Sequence, residues 1–359
     1  MPRLSLIDRY VGAAVVRGVA TVLFVLLGLF ALFELIGELE NLGPGEYGVG
    51  AALFYVLLRL PRLCYELFPP AGIIGTLLAL GALARSGELA VIRAAGVSKP
   101  ALVGSVLKGG LLFVIAATLI GELVAPRTEQ FAHAYRSMKR IGQISLGTQT
   151  GIWVRDGNTY INIREVLPGE VIRNVYIHEF DAAHQLRAST YAPEARFVDG
   201  KWRLENMVQT RIGPNGLTRS QATEADWESL LRPELIDVVT TRYSDRLSVW
   251  ALHRFVRYLE ANGLDASAYR YAMWVKYMYP LATGVMVLLA IPLVLGRLTG
   301  SAGAGRGVFL GTLIGLGFHI VNETAGHFGV VAQVPPWLSA TAPTLAILVL
   351  AAWFLRRVP

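Results

Sequence analysis

The amino-acid sequence predicts an α-helical membrane protein. Six transmembrane helices are expected, three on either side of an inserted β-sandwich or jelly-roll-like domain. Three observations support this fold class. The 359 residues are 53% hydrophobic and 16% charged, with mean hydropathy +0.47, whereas soluble domains carry about 25% charged residues. About six segments approach the roughly 20 apolar residues that a bilayer demands. Between the third and fourth of them the apolar pattern changes to a period of two, punctuated by turn dipeptides.

The first span covers residues 11–36. It is longer than the 7–15-residue apolar region of a signal peptide and lacks a small-residue cleavage site, so it reads as an uncleaved anchor. The second, 51–84, is interrupted by Arg59, Pro61, Arg62, Glu66 and the Pro69-Pro70 pair; its uncharged part, 67–84, reads as the membrane core. The third, 101–124, runs into the basic helical piece HAYRSMKR. In the insert, GIWVRDGNTYINI reads as two strands about an Asp156-Gly157 turn. VYIHEF, RASTYA, ARFVDGKWRLEN and MVQTRI add further strands, with a second turn at Asp199-Gly200. From Ser248, Trp250, Leu252, Phe255 and Leu259 return to helical spacing, and Gly263 can stop that helix. The last spans are 273–295, 308–327 and 338–355.

Arg3, Arg9, Arg17, Arg85, Arg93, Lys99, Arg297, Arg306, Arg356 and Arg357 mark one set of span ends, while Glu38, Glu40 and Glu46 lie on the other. By the positive-inside bias both termini are cytoplasmic and the insert faces the opposite side. The net charge of +7 thus follows the membrane topology, and no nucleic-acid motif accompanies it. A single cysteine, Cys64, excludes an internal disulfide and a Cys-built metal site. There is no GxxxxGK[ST], HExxH or GxSxG, so no catalytic residue is assigned and no cofactor is expected in this chain; energy for any driven process must come from another subunit.

Three groups of residues are candidates for function. ELAVIRAAGVSKP, between the second and third spans, predicts an amphipathic helix over 86–97. Glu88 suits the positive end of its dipole, and Leu89, Ile92 and Gly96 share one side. It is either a connector lying on lipid headgroups or a coupling helix seated in a groove of a soluble motor subunit, with Glu88, Leu89, Ile92 and Arg93 as the coupling residues. Secondly, His319, Glu323 and His327 recur every four residues in the fifth span. Ionisable groups at that depth are functional candidates, as a metal site, as a polar face towards a cavity or neighbouring subunit, or as helix–helix hydrogen bonds. Thirdly, Glu34, Arg59, Arg62 and Glu66 form either interfacial ion pairs or an entry site where arginine forks hold the anionic head groups of an amphipathic ligand. Gly72, Gly75, Gly81, Gly311 and Gly315 permit close helix approach.

Asp8-Arg9-Tyr10, the Pro-interrupted second span, LARSGELAVIRAAGVS, VAPRTEQ and HRFVRYLEANGLDASAYRYAMWVKYMYPL together resemble the lipopolysaccharide-export ABC transporter permeases (the YjgP/YjgQ family), essentially end to end. The resemblance implies a non-enzymatic permease subunit of the bacterial inner membrane. Such a subunit extracts lipopolysaccharide laterally and passes it to a periplasmic β-jelly-roll bridge towards the outer membrane. It also implies the homologous permease LptF, an LptB ATPase dimer holding ATP and Mg, and LptC as partners. Glu88 matches the family's coupling-helix glutamate, and Arg62, after Pro61, a basic cavity position. Glu34, Arg59, Arg62, Glu66, His319 and Glu323 are the expected lipid-cavity residues. Glu34 departs from the pattern: where related first spans can carry a basic residue, this chain has a carboxylate that can pair with Arg59 or Arg62, or hold lipid through a divalent cation. The expected division is 1–125 and 269–359 for the transmembrane helices and 126–268 for the periplasmic domain. The rival readings are an intramembrane metallohydrolase built on His319, Glu323 and His327, and a scaffold that does not transport.

Overall fold

A computed structural model describes residues 5–43, 46–141, 151–167, 171–181, 183–213, 216–227, 247–296, 303–332 and 334–357. Arg3 and Arg297, part of the charge bias above, lie outside them. The chain divides into two units: Met1–Glu40, Val56–Gln130 and Ser267–Pro359 make the first, Asn41–Tyr55 and Phe131–Ala266 the second. Residues 41–55 therefore group with the insert.

The helices are α1 (Leu6–Leu39), α2 (Val49–Arg85), α3 (Glu88–Ala94), α4 (Lys99–Leu119), a π-helical turn (Ile120–Val124) and α5 (Ala125–Ile141). After the strands come α6 (Val249–Ala261), α7 (Ser267–Leu295), α8 (Gly303–Val331) and α9 (Pro336–Arg357). Among the described residues five helices are long and apolar enough to cross a membrane: α1, α2, α4 with its extension to Arg136, α7 and α9. The fifth expected span, 308–327, falls inside α8, which is not among these five. A capping box starts α1, the Ser5 hydroxyl accepting from the Asp8 N–H and the Asp8 carboxylate from the Ser5 N–H. The Ser98 hydroxyl caps α4 by accepting from the Ala101 N–H, without a reciprocal bond.

The second span was expected to be interrupted, but α2 is one helix of 37 residues with Pro61, Pro69 and Pro70 inside it. Proline at position i leaves the carbonyl of residue i−4 without its donor, and in hydrocarbon such a group needs another partner. Pro70 frees the carbonyl of Glu66, which accepts from the Tyr279 hydroxyl of α7 at 2.8 Å. The π turn repeats the arrangement. Its i→i+5 bond sends the Ala125 N–H to the Ile120 carbonyl, so the next donor would come from Pro126, which has none. The orphaned Gly121 carbonyl accepts instead from the buried Lys276 ammonium of α7 at 3.2 Å. Lys276 and Tyr279, three apart and so on one helix face, thus repair two proline defects.

Small residues set the remaining helix contacts, as expected where lipid supplies no hydrophobic drive. α1 buries a narrow strip, Val11, Gly12, Val15, Val19 and Val22, with Glu38 beyond it. A Cβ at Gly18 would lie 2.5 Å from the Gly75 carbonyl oxygen, and one at Gly109 2.9 Å from that of Gly12. Gly311 packs on Ile74 and Leu77, whereas Gly81 meets nothing.

In the second unit, β1 (Ile152–Asp156), β2 (Thr159–Leu167), β3 (Val171–Phe180), β4 (Leu186–Val198), β5 (Lys201–Gly213) and β6 (Gly216–Trp227) form one antiparallel sheet. Its spatial order equals its sequence order. Where the sequence predicted a sandwich or jelly roll, the described strands make a single up-and-down sheet of long hairpins. RASTYA and ARFV belong to one strand, β4. Gly157 (φ +59°) and Gly200 (φ +83°) supply the left-handed backbone of the two expected turns. α6 buries Leu252, Phe255, Val256 and Leu259, but Trp250 is 78% exposed and off that face. The Tyr258 hydroxyl donates to the Arg155 carbonyl at 2.5 Å, and the Gly157 N–H to the Asn262 side chain at 2.8 Å, fixing the helix to the first hairpin.

Tyr279→Phe removes the substitute donor of the Glu66 carbonyl without changing packing. It is expected to lower stability by about 1 kcal/mol, measured by thermal unfolding in detergent.

Candidate functional site

α3 lies between α2 and α4, and its two sides differ. Gly87, at φ +76°, turns the chain out of α2, and Gly96, at φ +87°, turns it towards α4. Leu89 is buried and Ile92 packs against the hydrophobic core, so this side holds the helix to the bundle. Val91, at 68% exposure, and Arg93 are on the open side. Glu88 is engaged within the chain: Oε2 accepts from the Tyr10 hydroxyl of α1 and Oε1 from the Ser86 hydroxyl at 2.8 Å. The Tyr10 bond first, then that of Ser86, holds the Glu88 carboxyl below its ordinary value of 4.5. Two residues earlier on α1, Asp8 accepts from the Ser105 hydroxyl at 2.6 Å and from the Lys108 ammonium at 2.7 Å, both on α4. The start of α1 is thus bound to the elements on both sides of the α3–α4 joint.

The charged candidates fall into three separate groups. Far along α1, about 36 Å from Tyr10 at 1.5 Å per residue, Glu34 is paired with Arg59 of α2. Arg59 also lies 3.8 Å from Glu129 of α5, whose side chain is 3% exposed. The two acids share one guanidinium, so the carboxylate that departs from the expected basic residue is neutralised inside the chain. Arg62 pairs with Glu66 at 2.6 Å, one helical turn away. On α8, His319 Nε2 lies 3.5 Å from Glu323 Oε2, and both side chains are more than half exposed. Gly311, Gly315 and Phe318, buried, form a different face of that helix. His319 and Glu323 therefore point away from the bundle's interior. The His327 side chain lies outside the described residues. Among the described residues no three His, Cys, Asp or Glu side chains gather in a way that could hold a metal ion.

Sequence reasoning quoted Tyr10, Asp8, Glu129 and Lys276 only within the stretches that carry the family resemblance and gave none of them a role of its own. Two of them carried a readable signal. Lys276 is a charge inside an apolar span, which marks function or structure by default, and Asp8 with Ser5 has capping-box spacing. Tyr10 and Glu129 carried none, because their partners are distant in sequence.

Residues 9–357 match the family described as lipopolysaccharide export system permease LptF/LptG. The chain is 32% identical over 360 residues to the lipopolysaccharide export system permease protein LptG of Escherichia coli (strain K12), covering 99% of each. It is 30% identical over 356 residues to the corresponding protein of Haemophilus influenzae, again covering 99% of each.

Two outcomes are expected from the site's geometry. Arg59→Leu leaves Glu34 and the buried Glu129 without their shared cation and should cost about 3–5 kcal/mol in unfolding measurements. A loss below about 1 kcal/mol would mean that solvent screens the cluster. The Tyr10–Glu88 bond favours ionised Glu88, so its stabilisation is fully present above pH 4.5, the ordinary glutamate value, and is lost as pH falls through the lower folded value. The stability difference between the parent and Tyr10→Phe should accordingly be constant at neutral pH and shrink on acidification below that point.

Proposed function

The chain belongs to the lipopolysaccharide export system permease LptF/LptG family, and from that membership we propose how its parts work in an ABC exporter. The family is one of transporter membrane subunits, not enzymes, and gives no support to the metallohydrolase or the scaffold reading. In our reading the chain is an inner-membrane permease subunit that extracts lipopolysaccharide and hands it to a periplasmic β-jelly-roll bridge. α8 is the fifth of six spans, both termini and α3 are cytoplasmic, and the sheet domain is periplasmic. LptF is the second permease, an LptB dimer supplies ATP hydrolysis with Mg, and LptC completes the assembly.

The observation that carries this reading furthest is the two-sided character of α3. A helix that meets a motor must be open on one side and rigidly joined to the spans on the other. Val91 and Arg93 lie on the open side, while Leu89 and Ile92 are held by the bundle. We assign motor contact to the first pair and transmission to the second. For the lipid, Arg62 is the phosphate-holding residue, exchanging Glu66 for an anionic head group in a charge-assisted, forked geometry. Arg59 joins it only when Glu34 is displaced, so the carboxylate tunes that position rather than binding phosphate. The exposed His319–Glu323 pair faces the cavity shared with the second permease, where water or polar partners meet it.

The test is purification of the chain from its own membrane, followed by mass analysis of accompanying subunits and lipid. An ATPase, a second permease and bound lipopolysaccharide are expected, with less lipid in Arg62→Ala; absence of any ATPase subunit would overturn the proposal.

A further inference from the structure

We propose that the first turns of α1 are the transmission arm of this permease, with Tyr10 as the residue that positions Glu88 so that displacement of α3 reaches α1. The inference rests on reading α3 as the coupling helix and adds what that helix moves.

Three observations lead to it. Both oxygens of the Glu88 carboxylate are occupied by groups of this chain, Tyr10 and Ser86. The carboxylate therefore orients α3 against α1. The same end of α1 is fastened to α4 through Asp8, with Ser105 and Lys108 as partners. A shift of the α3–α4 joint is in this way applied to α1 at two points, two residues apart. Finally, α1 touches the bundle over a short strip. Its buried apolar residues end at Val22, and its closest approaches are at Gly12 and Gly18, against Gly109 and Gly75. Beyond them Leu23 and Leu26 are only partly buried against the core, and Phe24, Val25, Leu29 and Phe30 are exposed, until Glu34 meets Arg59.

A stiff helix with a short glycine-lined contact near one end is a lever. From Gly18 back to Tyr10 is about 12 Å and from Gly18 out to Glu34 about 24 Å, at 1.5 Å per residue. A tilt about that contact moves the far end roughly twice as far as the near end, and the Glu34–Arg59 pair is the point at which that displacement acts.

The experiment uses the complex purified with its ATPase, reconstituted in proteoliposomes, and reads lipopolysaccharide released per ATP hydrolysed. Tyr10→Phe should lower that ratio by about fivefold or more, the size of a typical coupling between sites. Glu88→Ala should do the same, and the double variant should be no worse than Glu88→Ala, because the Tyr10–Glu88 bond is already lost in either single variant. Glu88→Gln keeps an acceptor for the phenol and should retain most of the release that Glu88→Ala loses. The proposal is overturned if Tyr10→Phe matches the parent, if the single losses multiply in the double variant, or if Glu88→Gln is as damaged as Glu88→Ala. A Val91→Asp arm separates this idea from the reading beneath it. If Val91→Asp leaves ATPase binding and release intact, the coupling-helix reading fails and takes this one with it. If Val91→Asp abolishes release while Tyr10→Phe does not change the ratio, only the transmission arm is overturned.

Discussion

The helical unit depends on one constraint: a backbone carbonyl that loses its donor inside hydrocarbon must find another. The chain places proline in its second long helix and just after its π turn, and each creates such a carbonyl. One face of α7 answers both, Tyr279 at Glu66 and Lys276 at Gly121. The consequence is a fixed three-way junction of α2, the π turn and α7. Lys276 is tolerated in an apolar helix because it is buried against a carbonyl and the Glu122 carboxylate, 3.5 Å away.

Against that junction α1 is attached along a narrow strip, Val11 to Val22. It is secured at one end by Asp8 and Tyr10 and at the other by Glu34, with glycine contacts between. Polar ties at the ends of an apolar helix have a different energetic character from a packed core. They are specific and can be exchanged for other partners, because a phosphate or another carboxylate can replace what is there. A permease needs such an element, rigid along its length and replaceable at its ends. Among the described residues of the sheet unit, α6 is bound to the first hairpin by Tyr258 and Asn262, and the register runs without interruption through β5 and β6.

Much of the helical architecture was legible because bilayer thickness imposes a length and a composition on each span, and both are local properties. The expected segments fall within α1, α2, α4 with the π turn, α7, α8 and α9. The turns at Gly157 and Gly200 were legible too, since a left-handed residue between strands leaves a dipeptide signal. The continuity of α2 was not. Three prolines argue for interruption unless a residue more than two hundred positions later supplies a donor, and Tyr279 gives no sign of doing so. The single sheet was hidden for a related reason: alternation predicts strands but not which of them pair, and it split β4 at Pro193. Of the candidate site, the place and the apolar side of α3 were readable from Leu89 and Ile92, whereas the engagement of Glu88 by Tyr10 was not.

By itself, then, the sequence determined the membrane class, the positions of the long apolar segments, the short amphipathic helix between two of them and the strands of the insert, because hydropathy, periodicity and turn chemistry act within a few residues. Only the tertiary structure decided which charges meet. Glu34 with Arg59 and Glu129, Glu88 with Tyr10, Asp8 with Lys108, and Lys276 with the Gly121 carbonyl all join residues from different helices. A buried or membrane-depth charge must find a partner, but chain spacing does not say which one; helix crossings set by glycine contacts do.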